Sequence, residues 1–343
     1  MKGLSFSASS LWAPFCIAPC FSERIWGCPD LRPWYDVGAE VGKLIGEAWL
    51  TGDLCRVASG AHAGRTLAEL FAEFPEALLG AAAAPNREPG AVGASPLLIK
   101  VIFAREKLSV QVHPDDRMAR KYGAPRGKTE CWYVLEARPG AQLALGLRPG
   151  VTLDQVQAGI GAGTLEESLN VIDVTAGDVV FVDAGTVHAI WPGSILLEIQ
   201  QNCDLTYRMY DYGRPRELHI DKSLEATRLR TRAGRIAHRR LAGRMILMDG
   251  EYFRVERIVM GGGSAGTRLA GSDLRGEDEP VPGLQYLFAA AGAARISGPE
   301  FSAVELPLGG IVAIPAAAPE FAIEDLGGLD LMRITPRWPA ANR

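Results

Sequence analysis

Short β-branched and aromatic runs, each closed by a turn signal, recur along this chain and limit what it can fold into. The clearest are LLIKVIFA (97–104), LSVQVH (108–113), ECWYVLEA (130–137), DVVFVDA (178–184), ILLEIQQN (195–202) and DLTYRMYDY (204–212). Runs this short, rich in Val, Ile, Tyr and Phe and bounded by Gly, Pro or Asp, predict strands rather than helices. The last hundred residues continue in kind, with FRVERIVM, GLQYLFAAAGAARIS, GGIVAIP and LDLMRITP. Helical starts are few. Thr66 with Glu69, Thr152 with Gln155, and Thr164 with Glu167 each have capping-box spacing. The small-residue stretch 80–96 has no pattern and predicts a loop. Many short strands with helical insertions point to a mainly β sandwich or barrel with decorations.

The chain has 343 residues, 48% of them apolar, enough to bury a substantial core as two domains or one large one. A formal net charge of −4 provides no general basic field for nucleic acid, so an anionic substrate must be held by a few placed Lys or Arg. The six cysteines are irregularly spaced with no C-x-x-C, which predicts free thiols in a reducing compartment. LWAPFCIAPCF near the N-terminus is apolar, but two prolines break it and it is too short to span a membrane. No small-residue cleavage site follows it, so the expectation is a cytoplasmic protein with no membrane partner.

One internal echo suggests how the chain divides. AGDVVFVDAGTVHA (176–189) aligns without gaps on LGGIVAIPAAAPEF (308–321), pairing Gly177 with Gly309, Asp183 with Pro315 and His188 with Glu320. Two related β domains follow from this: a larger one at 1–235 with helical insertions, and a smaller one at 236–343 that lacks the histidine. The basic stretch 228–240 is the expected join, read as a solvated linker.

The chemistry concentrates in the larger half. On a strand, successive side chains alternate between faces, so Ser109, Gln111 and His113 share one face and Val110 and Val112 the other. Downstream, G-D-V-V-F-V-D-A-G-T-V-H (177–188) is an alternating strand, a tight turn, and a histidine at the start of the next strand. Together these resemble the two cupin motifs: H-x-H followed by Glu, and G-x5-P-x-G-x2-H. Gln111 stands at the first His position and Asp183 replaces the usual proline. Glu130 arrives seventeen residues after His113, which makes PDDRMARKYGAPRGKT an insertion. Lys128 and Glu130 share parity with Trp132, so the lysine can face the same cavity.

QVHPDD, GKTECWYVLEA, GTVHA and LEIQQNCDLTYRMYDYGRPRELHIDK closely resemble the type I mannose-6-phosphate isomerases in their short bacterial form, which belong to the cupin superfamily. FSERIWG and IGEAWLTGD also fit, with Cys28 where that family has a second Gly. The resemblance spans roughly residues 18–225; beyond it only the character matches. It implies a jelly-roll barrel plus a second, smaller cupin-like domain, and one zinc ion per chain held by Gln111, His113, Glu130 and His188. It further implies a catalytic arginine at Arg208, an acid at Glu198 and a lysine of a K-x-E motif at Lys128. Ser109 and Arg214 are candidate phosphate contacts and Glu47 a further cavity acid. His62, His219 and His238 are read as surface or supporting residues.

The donor chemistry agrees with that implication. Two imidazoles, a carboxylate and a neutral amide suit Zn2+ and leave the centre cationic, able to polarise a sugar carbonyl. Arg208 can stabilise charge on enediolate oxygens, and burial beside a cation is expected to depress the Lys128 pKa. The expected activity is interconversion of mannose 6-phosphate and fructose 6-phosphate by a monomer or homodimer. Glu198, Lys128 and a metal-bound water are alternative bases. Rival readings are an iron-dependent cupin oxygenase and a non-catalytic sugar-phosphate-binding cupin.

Overall fold

Strand Glu130–Ala137 shows how alternation builds the molecule. Glu130, Trp132 and Val134 face one way, and Trp132 and Val134 enter a buried apolar cluster; Cys131 and Tyr133 face the other. A computed structural model describes residues 10–38, 42–80, 94–260, 266–274 and 282–338. Most of the predicted loop 80–96 lies outside the described residues.

Two compact units result: Phe21–Trp49 with Leu97–Ala237, and Met1–Cys20 with Leu50–Pro96 and His238–Arg343. In the first unit a seven-stranded sheet runs in the order Gly234–Arg235, Val179–Val182, Glu130–Ala137, Ser194–Gln201, Leu97–Phe103, Ile45–Trp49, Cys20–Cys28. A five-stranded sheet follows the order Tyr207–Tyr210, Val110–Val112, His188–Ile190, Gln142–Leu147, Leu169–Asp173. Trp132, Val134, Val180 and Leu196 of the larger sheet meet Leu143, Leu145 and Ile190 of the smaller one in a shared core. The opposite face of the smaller sheet is covered by helices. Val110, Val112, Ala189 and Met209 pack there with Val156 and Ile160 of helix Leu153–Ala162 and Met118 of helix Asp116–Lys121. Sheet on sheet with helical decoration is the architecture the strand runs predict.

In the second unit an eight-stranded and a four-stranded sheet share a core that includes Ile258, Leu287, Leu331, Ile296 and Ile323. The apolar N-terminal run contributes strand Phe15–Ala18, which pairs antiparallel with Ile311–Ile314 and buries Phe15 and Ile17. Spatial pairing thus groups two early segments with residues 238–343, whereas a cut at 235/236 leaves them in the first domain. The internal echo coincides at one strand only; the next strands, His188–Ile190 and Ala322–Asp325, do not start at aligned positions. Val179–Val182 and Ile311–Ile314 are the aligned pieces, and each follows a glycine with positive φ: Gly177 at 92° and Gly309 at 70°.

The capping boxes at Thr66 and Thr152 form with both reciprocal hydrogen bonds and open helices Leu67–Glu73 and Leu153–Ala162. Thr164 does not: it makes no side-chain cap, and only a four-residue 3-10 turn, Leu165–Ser168, follows. That turn ends at once in strand Leu169–Asp173, so there is no room for an α-helix. All six cysteines are free thiols. Among the described residues no helix is long and apolar enough to cross a membrane.

Candidate metal centre and active site

Strand parity brings three donors to one point. His188 pairs in register with Gln111 on the neighbouring strand, and Arg208 pairs with Gln111 from the other side. Glu130 arrives from the facing sheet. His113 Nδ1 lies 2.8 Å from the Leu205 carbonyl and His188 Nδ1 lies 2.9 Å from the Thr186 carbonyl. A carbonyl only accepts, so each imidazole carries its proton on Nδ1 and presents the Nε2 lone pair to the cavity. His188 Nε2 lies 3.3 Å from Glu130 Oε1, and His113 Nε2 lies 3.8 Å from Glu130 Oε2. Possible ligand atoms of these three residues all fall within 4.8 Å of one another. Bonds of about 2.1 Å in a tetrahedral zinc site place donors about 3.4 Å apart, so the group fits a small divalent cation.

Two further observations support the fit. Glu130 is fully buried; its Oε1 has no hydrogen-bond partner, while Oε2 faces Lys128 Nζ at 2.9 Å. Gln111 Nε2 lies 3.2 Å from His188 Nε2 while its Oε1 accepts from Ser109 Oγ at 3.3 Å. A half-turn of that amide exchanges nitrogen for oxygen and supplies the fourth donor.

The insertion between His113 and Glu130 folds as helix Asp116–Lys121 and then straps the ligand strand down. Asp116 Oδ1 accepts from the Gly127 backbone N–H at 2.7 Å and from Gln201 Nε2 at 2.9 Å. Gln201 Oε1 in turn accepts from the Thr129 N–H at 2.9 Å. Gly127 packs so closely on this turn that a Cβ would sit 2.5 Å from the Asp115 carbonyl carbon. Only glycine fits, and the strap fixes Lys128 and Glu130 on either side of Thr129.

From the Glu130 carboxylate outward, charges alternate. Glu130 Oε2 lies 2.9 Å from Lys128 Nζ, which is 3.4 Å from Glu198; Glu198 is 3.0 Å from Lys100, and Lys100 is 3.5 Å from Glu47. Arg24 ends the row, 2.9 Å from Glu47. Trp49 Nε1 and Trp132 Nε1 donate to Glu47 and Glu198. Burial alone would pull the Lys128 pKa down, but in the metal-free protein Glu130 and Glu198 outweigh it and raise the value; the depression expected beside a cation concerns the metal-loaded site. Burial would raise Glu198 too; Lys100 and Lys128 outweigh it and hold the carboxyl well below its usual range. Glu130 goes the other way, raised by burial and by the neighbouring Glu198. Burial drives the His113 pKa well down, and that of His188 down to about 4 despite the Thr186 hydrogen bond.

Depressed histidines make a pH prediction. Between pH 6.5 and 4 the unfolded chain protonates His188 while the folded state does not, so the folded state loses stability as pH falls through this window. For His188 alone the loss is on the order of 3 kcal/mol at pH 4. Denaturant titrations of metal-free protein should show wild type losing more than His188→Gln over this range. Equal losses would mean that His188 is not held neutral.

Comparison with known proteins places the chain. No protein-family model matches it. It is 33% identical over 293 residues to the "Probable mannose-6-phosphate isomerase GmuF" of Bacillus subtilis, covering 80% of this chain and 90% of that protein. The chain belongs to the mannose-6-phosphate isomerase family. The mannose-6-phosphate isomerase of Streptococcus mutans is 37% identical over 224 residues, covering 62% of this chain and 67% of that one. The crystal structure of the Bacillus subtilis mannose 6-phosphate isomerase superposes with a TM-score of 0.78 at 28% identity, covering 94% of this chain and 99% of that one. A mannose 6-phosphate isomerase solved with zinc and yttrium, 17% identical, shares the fold with a TM-score of 0.71 and covers 95% of this chain and 100% of that one.

In this member of the family a cavity of about 540 Å3 lies beside the donors, lined by Ser109, Gln111, Lys128, Glu198, Glu47 and Arg208 among others. Arg214 is the expected residue that the structure leaves out. Its guanidinium donates to the Lys107 carbonyl at 2.7 Å and to Glu106 at 2.9 Å, away from the cavity. Pro215 sits between the two arginines, and it is Arg216 that reaches the lining, gripped by buried Asp211 at 2.6 and 2.7 Å. Arg24, Lys100 and Asp204 also line the cavity and were not singled out from sequence. Lys100 had a readable signal: a single charge inside the otherwise apolar run LLIKVIFA, and it is 3% exposed. Arg208 Nε is buried without a hydrogen-bond partner, while Nη1 donates to the Glu217 carbonyl at 2.8 Å.

Proposed function

We propose that the chain is a zinc-dependent aldose–ketose isomerase that interconverts mannose 6-phosphate and fructose 6-phosphate through a cis-enediol. The observation that carries this reading is the meeting of three buried donors, His113, Glu130 and His188, with Gln111 beside them, next to a cavity lined by the Lys100–Glu198–Lys128 row. Gln111, His113, Glu130 and His188 would hold one Zn2+ per chain. When bound, the ion supplies Lewis-acid polarisation of the sugar carbonyl and the adjacent hydroxyl.

The remaining work falls to the chain itself. Isomerisation moves one proton between neighbouring carbons and one between their oxygens. Glu198, flanked by two lysines, stays a carboxylate and can take the carbon-bound proton. Lys128, protonated beside two carboxylates, can give a proton to the carbonyl oxygen. Delivery in the reverse sense at the neighbouring carbon yields the other sugar and restores both groups. Arg208, Arg24 and Arg216 make the anion end of the cavity, and Ser109 adds a hydroxyl. Arg208 has the unsatisfied N–H, so we assign it the strongest contact with developing or fixed negative charge. Free thiols suit a reducing cytoplasm.

The test couples turnover of mannose 6-phosphate to metal analysis. Activity should vanish on chelation and return with Zn2+. Arg208→Ala should lower kcat about 100-fold, as loss of one preorganised donor does elsewhere. A drop smaller than about tenfold, roughly 1.4 kcal/mol of barrier, would rule out its transition-state role.

A further inference from the structure

Arg208 sits on Tyr207–Tyr210, the edge strand of its sheet, and an edge leaves backbone groups unpaired. The pairing with Val110–Val112 also shifts register between Arg208 and Tyr210, a bulge that loosens the ladder where the arginine must be aimed. Among the described residues no further strand covers this position. Instead the segment 217–219 does so with three hydrogen bonds. The Arg208 backbone N–H donates to His219 Nδ1 at 3.2 Å, the His219 backbone N–H donates to the Arg208 carbonyl at 2.8 Å, and Arg208 Nη1 donates to the Glu217 carbonyl at 2.8 Å. The imidazole thus takes the place that a neighbouring strand's carbonyl would occupy. Its Nδ1 accepts, so the ring proton is on Nε2, the opposite tautomer from that of His113 and His188. His219 also ends this clamp at the start of helix Ile220–Ala226, where Ser223 N–H returns to its carbonyl at 2.8 Å.

We propose that His219 is a positioning residue for Arg208: as a surrogate strand acceptor it holds residue 208 in register, so that the guanidinium stays directed at the cavity. The proposal rests on the reading of Arg208 given above. It gives a specific task to a histidine that the sequence reading places among surface or supporting residues. The fold supplies the reason: without an acceptor at this place the bulged edge strand has a free N–H next to the group it must hold still.

The experiment is a double-mutant cycle on the zinc-loaded enzyme with mannose 6-phosphate. His219→Leu should lower kcat at least about tenfold while leaving bound zinc unchanged. His219→Asn, whose amide oxygen can occupy the Nδ1 position, should recover activity to within about threefold of wild type. In an Arg208→Ala background, His219→Leu should cost nothing further, because a residue acting through Arg208 has nothing left to position. Additive losses in the cycle, or a His219→Leu enzyme with wild-type kcat, overturn the proposal. An Arg208→Ala enzyme with full activity overturns the reading of Arg208 and this inference together. Activity lost in Arg208→Ala but additive with His219→Leu overturns the inference alone.

Discussion

His188→Ala should strip the protein of its metal and its turnover together. The imidazole is 1% exposed, its lone pair faces the Glu130 carboxylate, and the Thr186 carbonyl fixes its tautomer. Substituting a group that merely orients a ligand typically costs 10–100-fold in metal affinity. Removing the ligand itself should therefore cost more than about 100-fold, leaving no zinc after gel filtration and no measurable isomerase activity. Glu320→Ala is the matched control. Glu320 holds the aligned position in the other unit, in a loop with no comparable donors among the described residues, and the change should leave zinc content and kcat intact. Zinc retained by His188→Ala at wild-type stoichiometry would dismantle the proposed centre.

Glu198→Gln should be costly twice over. The carboxylate is 2% exposed and stands between Lys100 at 3.0 Å and Lys128 at 3.4 Å. Removing one partner of a buried pair commonly destabilises by 3–5 kcal/mol. Glu47 and Glu130 remain beside the two ammonium groups, so the lower end, about 3 kcal/mol, is expected. Urea unfolding measures this. Turnover should fall with it, because the amide cannot take up the carbon-bound proton. Full activity in Glu198→Gln would remove Glu198 as the base and leave Lys128 and a metal-bound water as the candidates.

Much of the fold was readable because alternation is a local property. The runs at 97–104, 130–137 and 195–202 became strands Leu97–Phe103, Glu130–Ala137 and Ser194–Gln201, and the inward parity of Gln111, His113 and Glu130 followed from the strand period. Loop geometry has no such period. Nothing local separates Arg214 from Arg216, which flank a proline. Asp211 contacts both, at 3.5 Å from Arg214 and 2.6 Å from Arg216, and Glu106, about a hundred positions away in sequence, draws Arg214 off. The same holds for the strap from Asp116 to Gln201 and for the charge row from Arg24 to Glu130, whose partners are brought together only by the folded sheet. Pairing of Phe15–Ala18 with Ile311–Ile314 is the longest-range case. Lys100 differs from these, because a lone charge in an apolar strand is a local anomaly and could have been flagged.

The two oxygens that set the imidazole tautomers belong to Leu205 and Thr186, and both are peptide carbonyls. Side-chain replacement at either position leaves that oxygen in place. Inherited change can therefore rework residues 186 and 205 without scrambling proton placement on the ligands, and only a shift in the course of the chain itself would do so. Replacement at Leu205 should accordingly leave the His113 tautomer intact; at Thr186 the carbonyl's role likewise survives, although the buried hydroxyl's bond to Asp183 at 2.9 Å is lost.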